Sequence, residues 1–152
     1  ENVFTSAECD AMIEASQKLE NAVNGTHRPA MMPHRINDIY LKAMAKPSLA
    51  RIMEKLVGGK PAGIQTEFFY CKPGTRGFSL HQDNFFVEAP LGQFASAWCA
   101  LTDVTAENGG LIVYPGTHKE GLLPVRKLEL AAHAAQDPNA NNEECIVPPQ
   151  YK

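Results

Sequence analysis

A chain of 152 residues, 44% of them hydrophobic and 20% charged, is long enough to bury a core in one domain, and its composition excludes a disordered tail or a fibrous repeat. The formal net charge of -3 leaves no basic stripe to neutralise phosphates, so a small-molecule partner is expected and nucleic acid is not. No apolar run approaches the ~20 residues that span a bilayer, and Glu1-Asn2-Val3-Phe4 lacks the basic and apolar parts of a signal peptide, so the expectation is a soluble, cytoplasmic protein without a membrane partner.

The first third reads as helical. Thr5-Ser6-Ala7-Glu8 has the form of a capping box, and Met12, Ile13, Ser16 and Leu19 follow at helical spacing, which predicts a helix over 6–19 ended by Asn24-Gly25. Residues 26–37 hold two prolines, two histidines and two methionines without a period and read as a connecting loop. Asp38 can cap a short helix. Pro47 suits the first position of another, whose Leu49, Ile52, Met53 and Leu56 share one face before Gly58-Gly59 stops it.

Beyond Ala62 the texture changes to short runs rich in Phe, Tyr, Val and Ile, separated by Pro-Gly and Gly-Gly punctuation. The predicted strands are 64–71, 80–87, 94–104, 111–114 and 145–147, with a helical insert at 127–135 and a polar loop at 136–144. Between Gly63 and Tyr114 no helical period is long enough for a parallel crossover, so the fold class is mainly β with N-terminal helices, a jelly roll of the cupin-like kind. It reads as a single domain, with 1–60 its helical part and 61–152 the first part of a barrel. Cys9, Cys71, Cys99 and Cys145 form no C-x-x-C pair and read as buried free thiols.

In Ser79-Leu80-His81-Gln82-Asp83-Asn84-Phe85, a histidine and a carboxylate stand two apart on a strand-like run, so both point to one face and can share a metal ion. Gln82 points to the other face, and Asn84 is a candidate hydrogen-bonding partner for the pair. Two members of a 2-His-1-carboxylate triad spaced in this way leave the far side of an Fe(II) centre open for a co-substrate and dioxygen. Alone, H-x-D is a common accident, and a surface histidine beside a turn aspartate accounts for it better.

The context is more specific. Tyr70-Cys71-Lys72-Pro73-Gly74 precedes the pair; Ala97-Trp98-Cys99-Ala100-Leu101 follows it, and then Glu107-Asn108-Gly109-Gly110 leads to Pro115-Gly116-Thr117-His118. This ordered series, over 64–121, resembles the phytanoyl-CoA dioxygenase family. The resemblance implies a double-stranded β-helix and a mononuclear Fe(II). It also implies 2-oxoglutarate as co-substrate, decarboxylated to succinate, and hydroxylation of a small organic molecule. Position by position, it makes His81 and Asp83 the first two iron ligands and Trp98 an aromatic bordering the 2-oxoglutarate pocket. Phe68 and Tyr70 match residues that approach the co-substrate, although plain core packing explains each aromatic as well. His118 falls in a turn that is structural in the family, and Asp83 argues against the halogenating branch, in which chloride takes the carboxylate's place.

The family's second histidine and its co-substrate arginine lie on a later strand, and neither is found before Lys152. The chain therefore reads as a piece of a longer protein, with a trimmed chain or a site completed by Arg76 or Arg126 as lesser alternatives. A degenerate cupin-like binding module is the competing functional reading, and a zinc or manganese cupin the third.

Overall fold

The structure, a computed structural model, describes residues 3–75, 77–128 and 143–152. The chain divides into two compact units, Glu1–Lys72 with Ala97–Asp103, and Pro73–Ser96 with Val104–Lys152.

The first unit is built on helices. Helix α1, Ser6–Ser16, starts on the expected capping box: the Thr5 hydroxyl accepts from the Glu8 amide at 3.3 Å, and the Glu8 carboxylate accepts from the Thr5 amide at 2.7 Å. The helix predicted over 6–19 ends at Ser16; Leu19 is extended, and a short second helix, α2, Glu20–Val23, follows it. Gly25, at φ +74°, turns the chain out of α2. Helix α3 is Asp38–Met44, and its cap is Asn37, whose side chain accepts from the Ile39 amide at 3.0 Å; Asp38 is the first helical residue. Helix α4, Pro47–Val57, runs from the expected proline to Gly58 in the left-handed conformation. Its apolar face is only partly covered, with Ile52 and Leu56 exposed.

Met12, Ala15, Leu19, Ala30, Tyr40 and Tyr70 form the core of this unit. Two buried phenols are tied to α1: Tyr40 donates to the Met12 carbonyl at 3.0 Å, and Tyr70 donates to the Ser16 carbonyl at 2.7 Å. Each bond satisfies a hydroxyl that burial would otherwise strand, and burial pushes both phenols above their usual pKa. Strand β1, Ala30–Met31, pairs antiparallel with β2, Glu67–Phe68, in the register Ala30 to Phe68 and Met31 to Glu67. Thus the segment 26–37, whose fold the sequence did not disclose, contributes a strand and then a 3-10 turn, Pro33–Arg35. Met32 enters that turn at φ +53°. His34 is held there by the Thr66 hydroxyl, 2.7 Å from Nδ1.

The second unit contains a single antiparallel pair among its described residues, β3, Val125–Lys127, with β4, Glu143–Cys145. Arg126 and Glu144 lie opposite one another and form an ion pair, with Nε 3.0 Å from Oε2.

Several expected strands are corrected. Of 64–71 only Glu67–Phe68 joins a ladder, 80–87 contains the 3-10 turn Asp83–Phe85, and neither 94–104 nor 111–114 is a strand. In the last of these, Leu111, Ile112 and Val113 are exposed. The physical reason is that β-propensity expresses fit to a pleated, half-buried surface, and a run of β-branched residues forms a ladder only where a neighbouring strand pairs with it. Strand β4 begins two residues before the expected 145–147. Lys127, expected to open a helix, ends β3; the rest of that insert lies largely, and the polar loop before Glu143 entirely, outside the described residues. Among the described residues there is no closed jelly roll; they form helices with two small antiparallel sheets. The cysteines are free thiols, but only Cys145 is buried and Cys71 is exposed.

Candidate metal centre

Gln82 is extended, at φ -111° and ψ 125°, before the 3-10 turn Asp83–Phe85 begins. One extended residue suffices to put its two neighbours on one face. His81 Nε2 sits 3.2 Å from Asp83 Oδ1, although no ladder runs through the segment. The pair stays open to solvent, at 39% and 48% side-chain exposure, which leaves room for further ligands.

The segment is anchored from behind. The Gln82 amide faces away from the pair, donating to the Gly121 carbonyl at 3.0 Å and accepting from the Leu123 amide at 2.7 Å. The Ser79 hydroxyl donates to the Glu143 carbonyl at 2.7 Å, and the Leu80 carbonyl accepts from the Cys145 amide at 2.8 Å. Side-chain amide and hydroxyl thus replace the ladder bonds of a strand.

The proton on His81 can be assigned by chemistry. Nδ1 lies 2.7 Å from the Ser79 carbonyl oxygen, which can only accept, so Nδ1 carries the hydrogen. In the neutral ring Nε2 then presents its lone pair to Asp83 Oδ1 at 3.2 Å. Two lone pairs so placed require positive charge, either a second proton on the ring or a cation held by both atoms. An imidazole nitrogen and a carboxylate oxygen suit Fe(II), Mn(II) or Zn(II), so the donor set fits a metal of that class. The contact with His81 is the largest influence on the Asp83 carboxyl and holds it below its ordinary range; burial opposes this and the Ser96 hydroxyl, which donates to Oδ2, reinforces it.

Aromatic rings flank the imidazole. Phe78 and Phe86 contact it edge-on, with centroids 6.3 and 5.9 Å away, and Phe85 packs on Phe86 at 5.3 Å. Asn84 donates to the Ala89 carbonyl at 3.2 Å and so braces the following turn rather than the pair. His118 lies in the 3-10 turn Thr117–Glu120. Arg126 is engaged by Glu144, and Arg76 and His133 lie outside the described residues. Among the described residues no group of three His, Cys, Asp or Glu side chains converges on one point.

The other predicted site residues belong to the first unit. Phe68 is on β2, packed between Tyr40 and Tyr70 at centroid distances of 5.9 and 5.0 Å, and Tyr70 is a core residue with its hydroxyl committed to Ser16. Both therefore have packing duties that account for them. Trp98 is exposed. Sequence reasoning missed Ser96, for which no motif gives a signal, and the partners of Gln82, whose direction alone was readable.

The Asn-Gly-Gly motif is explained by the loop that it closes. The Asn108 side chain accepts from the Thr105 amide at 2.6 Å, and the Gly110 amide donates to the Thr105 carbonyl at 2.9 Å. Gly109 sits at φ +112°, and a Cβ on Gly110 would lie 2.7 Å from the Thr105 oxygen.

Comparison with known proteins supports the family resemblance. Phytanoyl-CoA dioxygenase 1 of Oryza sativa subsp. japonica is 32% identical over 90 residues, covering 59% of this chain and 32% of that protein. Phytanoyl-CoA dioxygenase domain-containing protein 1 of Danio rerio is 32% identical over 91 residues, 59% of this chain and 31% of the relative. The peroxisomal phytanoyl-CoA dioxygenase of Rattus norvegicus is 31% identical over 93 residues, 58% and 28% respectively. The matched stretch thus spans about a third of the length of these curated relatives. No solved structure matches the chain. The family model for phytanoyl-CoA dioxygenase (PhyH) matches residues 1–150, nearly the whole chain, and the protein belongs to that family.

Proposed function

We propose that the full-length protein is an Fe(II)- and 2-oxoglutarate-dependent dioxygenase that hydroxylates a small organic molecule, and that His81 and Asp83 are two of its iron ligands. The observation that carries this reading is the His81–Asp83 juxtaposition: a ring nitrogen facing a carboxylate oxygen 3.2 Å away, on an imidazole whose Nδ1 is held by the Ser79 carbonyl, in a dioxygenase family chain. Residues 1–152 are read as one oxygenase domain.

His81 would hold the ion through Nε2 and Asp83 through Oδ1. Bound iron would supply the activation of dioxygen coupled to decarboxylation of 2-oxoglutarate to succinate. The chain's own residues do the placing: the Ser79 carbonyl keeps the proton on Nδ1, and the Phe78 and Phe86 rings hold the imidazole edge-on. The exposed side of the pair admits co-substrate, substrate and dioxygen. Trp98, Tyr70 and Phe68 are assigned to 2-oxoglutarate on the family resemblance alone.

The test is iron-dependent succinate release by the full-length protein. With Fe(II) and 2-oxoglutarate supplied, succinate is expected to form and His81→Ala to abolish it; metal binding without any succinate would instead favour the degenerate binding module. Cytoplasmic location belongs to the same proposal. The rat relative is named as peroxisomal, and fractionation of cells expressing the full-length protein separates the two compartments. Among the described residues no helix is long and apolar enough to cross a membrane.

A further inference from the structure

We propose that Ser96 is a positioning residue for the metal site, fixing the Asp83 carboxylate so that Oδ1 is the oxygen presented beside His81 Nε2. The inference rests on the reading of His81 and Asp83 as metal ligands.

A carboxylate two atoms beyond its backbone can rotate about its terminal bond and exchange its oxygens freely, because that torsion is soft and two-fold. At Asp83 the two oxygens are not equivalent. Oδ1 faces His81 Nε2 at 3.2 Å, while Oδ2 accepts the hydroxyl of Ser96. The residues are thirteen apart in sequence, so the bond ties the 3-10 turn Asp83–Phe85 to a separate stretch of the same unit. Its donor is neutral and its acceptor charged, which makes it one of the stronger classes of side-chain hydrogen bond. The companion ligand is oriented in the same manner, by the Ser79 carbonyl on His81 Nδ1 at 2.7 Å. Each ligand thus offers one atom to the ion and has its other polar atom engaged by a fixed partner. Outer partners of this kind orient ligands and are typically worth about 10–100-fold in metal affinity.

A positioning role differs from a merely structural one in what it moves. Ser96 is exposed, so truncating its side chain leaves no buried cavity, and the fold is expected to survive. The hydroxyl acts on the ion only through Asp83.

Titration of Co(II) into the metal-free full-length protein, followed by the ligand-field absorption of the bound ion, reads the effect without turnover. Ser96→Ala is expected to raise the dissociation constant about 10-fold. Ser96→Thr, which keeps the hydroxyl, is expected to restore the original affinity, and Asp83→Ala to abolish binding. Unaltered affinity in Ser96→Ala, alongside loss in Asp83→Ala, overturns the role of Ser96 and leaves the metal assignment standing. Undiminished binding in both Asp83→Ala and His81→Ala overturns the metal assignment itself. Should Ser96→Ala fail to fold, judged by circular dichroism, Ser96→Cys supplies the comparison: its weak S–H donor predicts an affinity below that of Ser96→Thr, and equality of the two overturns the proposal.

Discussion

The two units reach order by different means. In the first, an apolar cluster around Met12, Leu19, Tyr40 and Tyr70 does the holding, and its polar atoms are settled close by, each phenol donating to a carbonyl of α1. In the second, regular structure is confined to β3, β4 and three short 3-10 turns among the described residues, and the chain is held by side chains that bond to distant backbone. Gln82 reaches Gly121 and Leu123, Ser79 reaches Glu143, and Asn108 closes its own loop on Thr105. The difference teaches where tolerance to substitution should lie. A core cluster is sensitive to volume, whereas a network of side-chain-to-backbone bonds is sensitive to the loss of one polar group.

The largest expected effect is on the first unit. Met12→Ala removes a side chain only 5% exposed and should destabilise by about 2–5 kcal/mol. Trp98, the single tryptophan, belongs to the same unit, so its fluorescence in urea unfolding reads the loss directly. A change well under 1 kcal/mol would break the comparison by showing that the cluster is not what holds that unit.

A smaller effect should sharpen the contrast from the other side. Gln82→Ala removes two bonds to backbone at about 1 kcal/mol each, and frees the residue whose extended conformation puts His81 and Asp83 on one face. Weakened Co(II) binding is expected, with the Trp98 unfolding transition of the first unit moving less than in Met12→Ala. Equal movement of the Trp98 transition in both variants would mean that the two modes of holding are not separable.

The smallest effect concerns acid. Glu8 has its carboxyl lowered from 4.5 to about 2, chiefly by the Lys46 ammonium and then by the Thr5 amide and hydroxyl. Because the folded value is the lower one, its contribution is fully present above pH 4.5 and is lost as pH falls toward 2. Glu8→Gln should therefore flatten the stability profile of the first unit over that window and leave it parallel to the original at neutral pH. A profile unchanged in slope between the two proteins would remove Glu8 from the account of acid sensitivity.

What could be read in the sequence follows the same division. Helices are written locally, and Thr5, Glu8, Pro47 and Gly58 mark ends that the structure reproduces. The break between α1 and α2 was not legible, because nothing in the period separates Ser16 from Leu19. Strands depend on partners far along the chain, and so Leu111, Ile112 and Val113 have the composition of a strand but not its ladder. At the candidate metal centre, two-residue alternation was enough to bring His81 and Asp83 together, since it requires only that Gln82 be extended. Ser96 was illegible, because a serine thirteen residues away carries no pattern.

One consequence attaches to the way in which His81 is held. Its Nδ1 is fixed by a main-chain oxygen, and every residue that could stand at position 79 brings the same oxygen with it. A substitution at that position removes the Ser79 hydroxyl's bond to Glu143 but not the oxygen itself, whereas the Asp83 restraint is a hydroxyl that one base change can remove. On the proposed reading, the restraint on the carboxylate is therefore the more easily lost of the two, so drift in metal affinity among variants of this chain should be larger at position 96 than at 79.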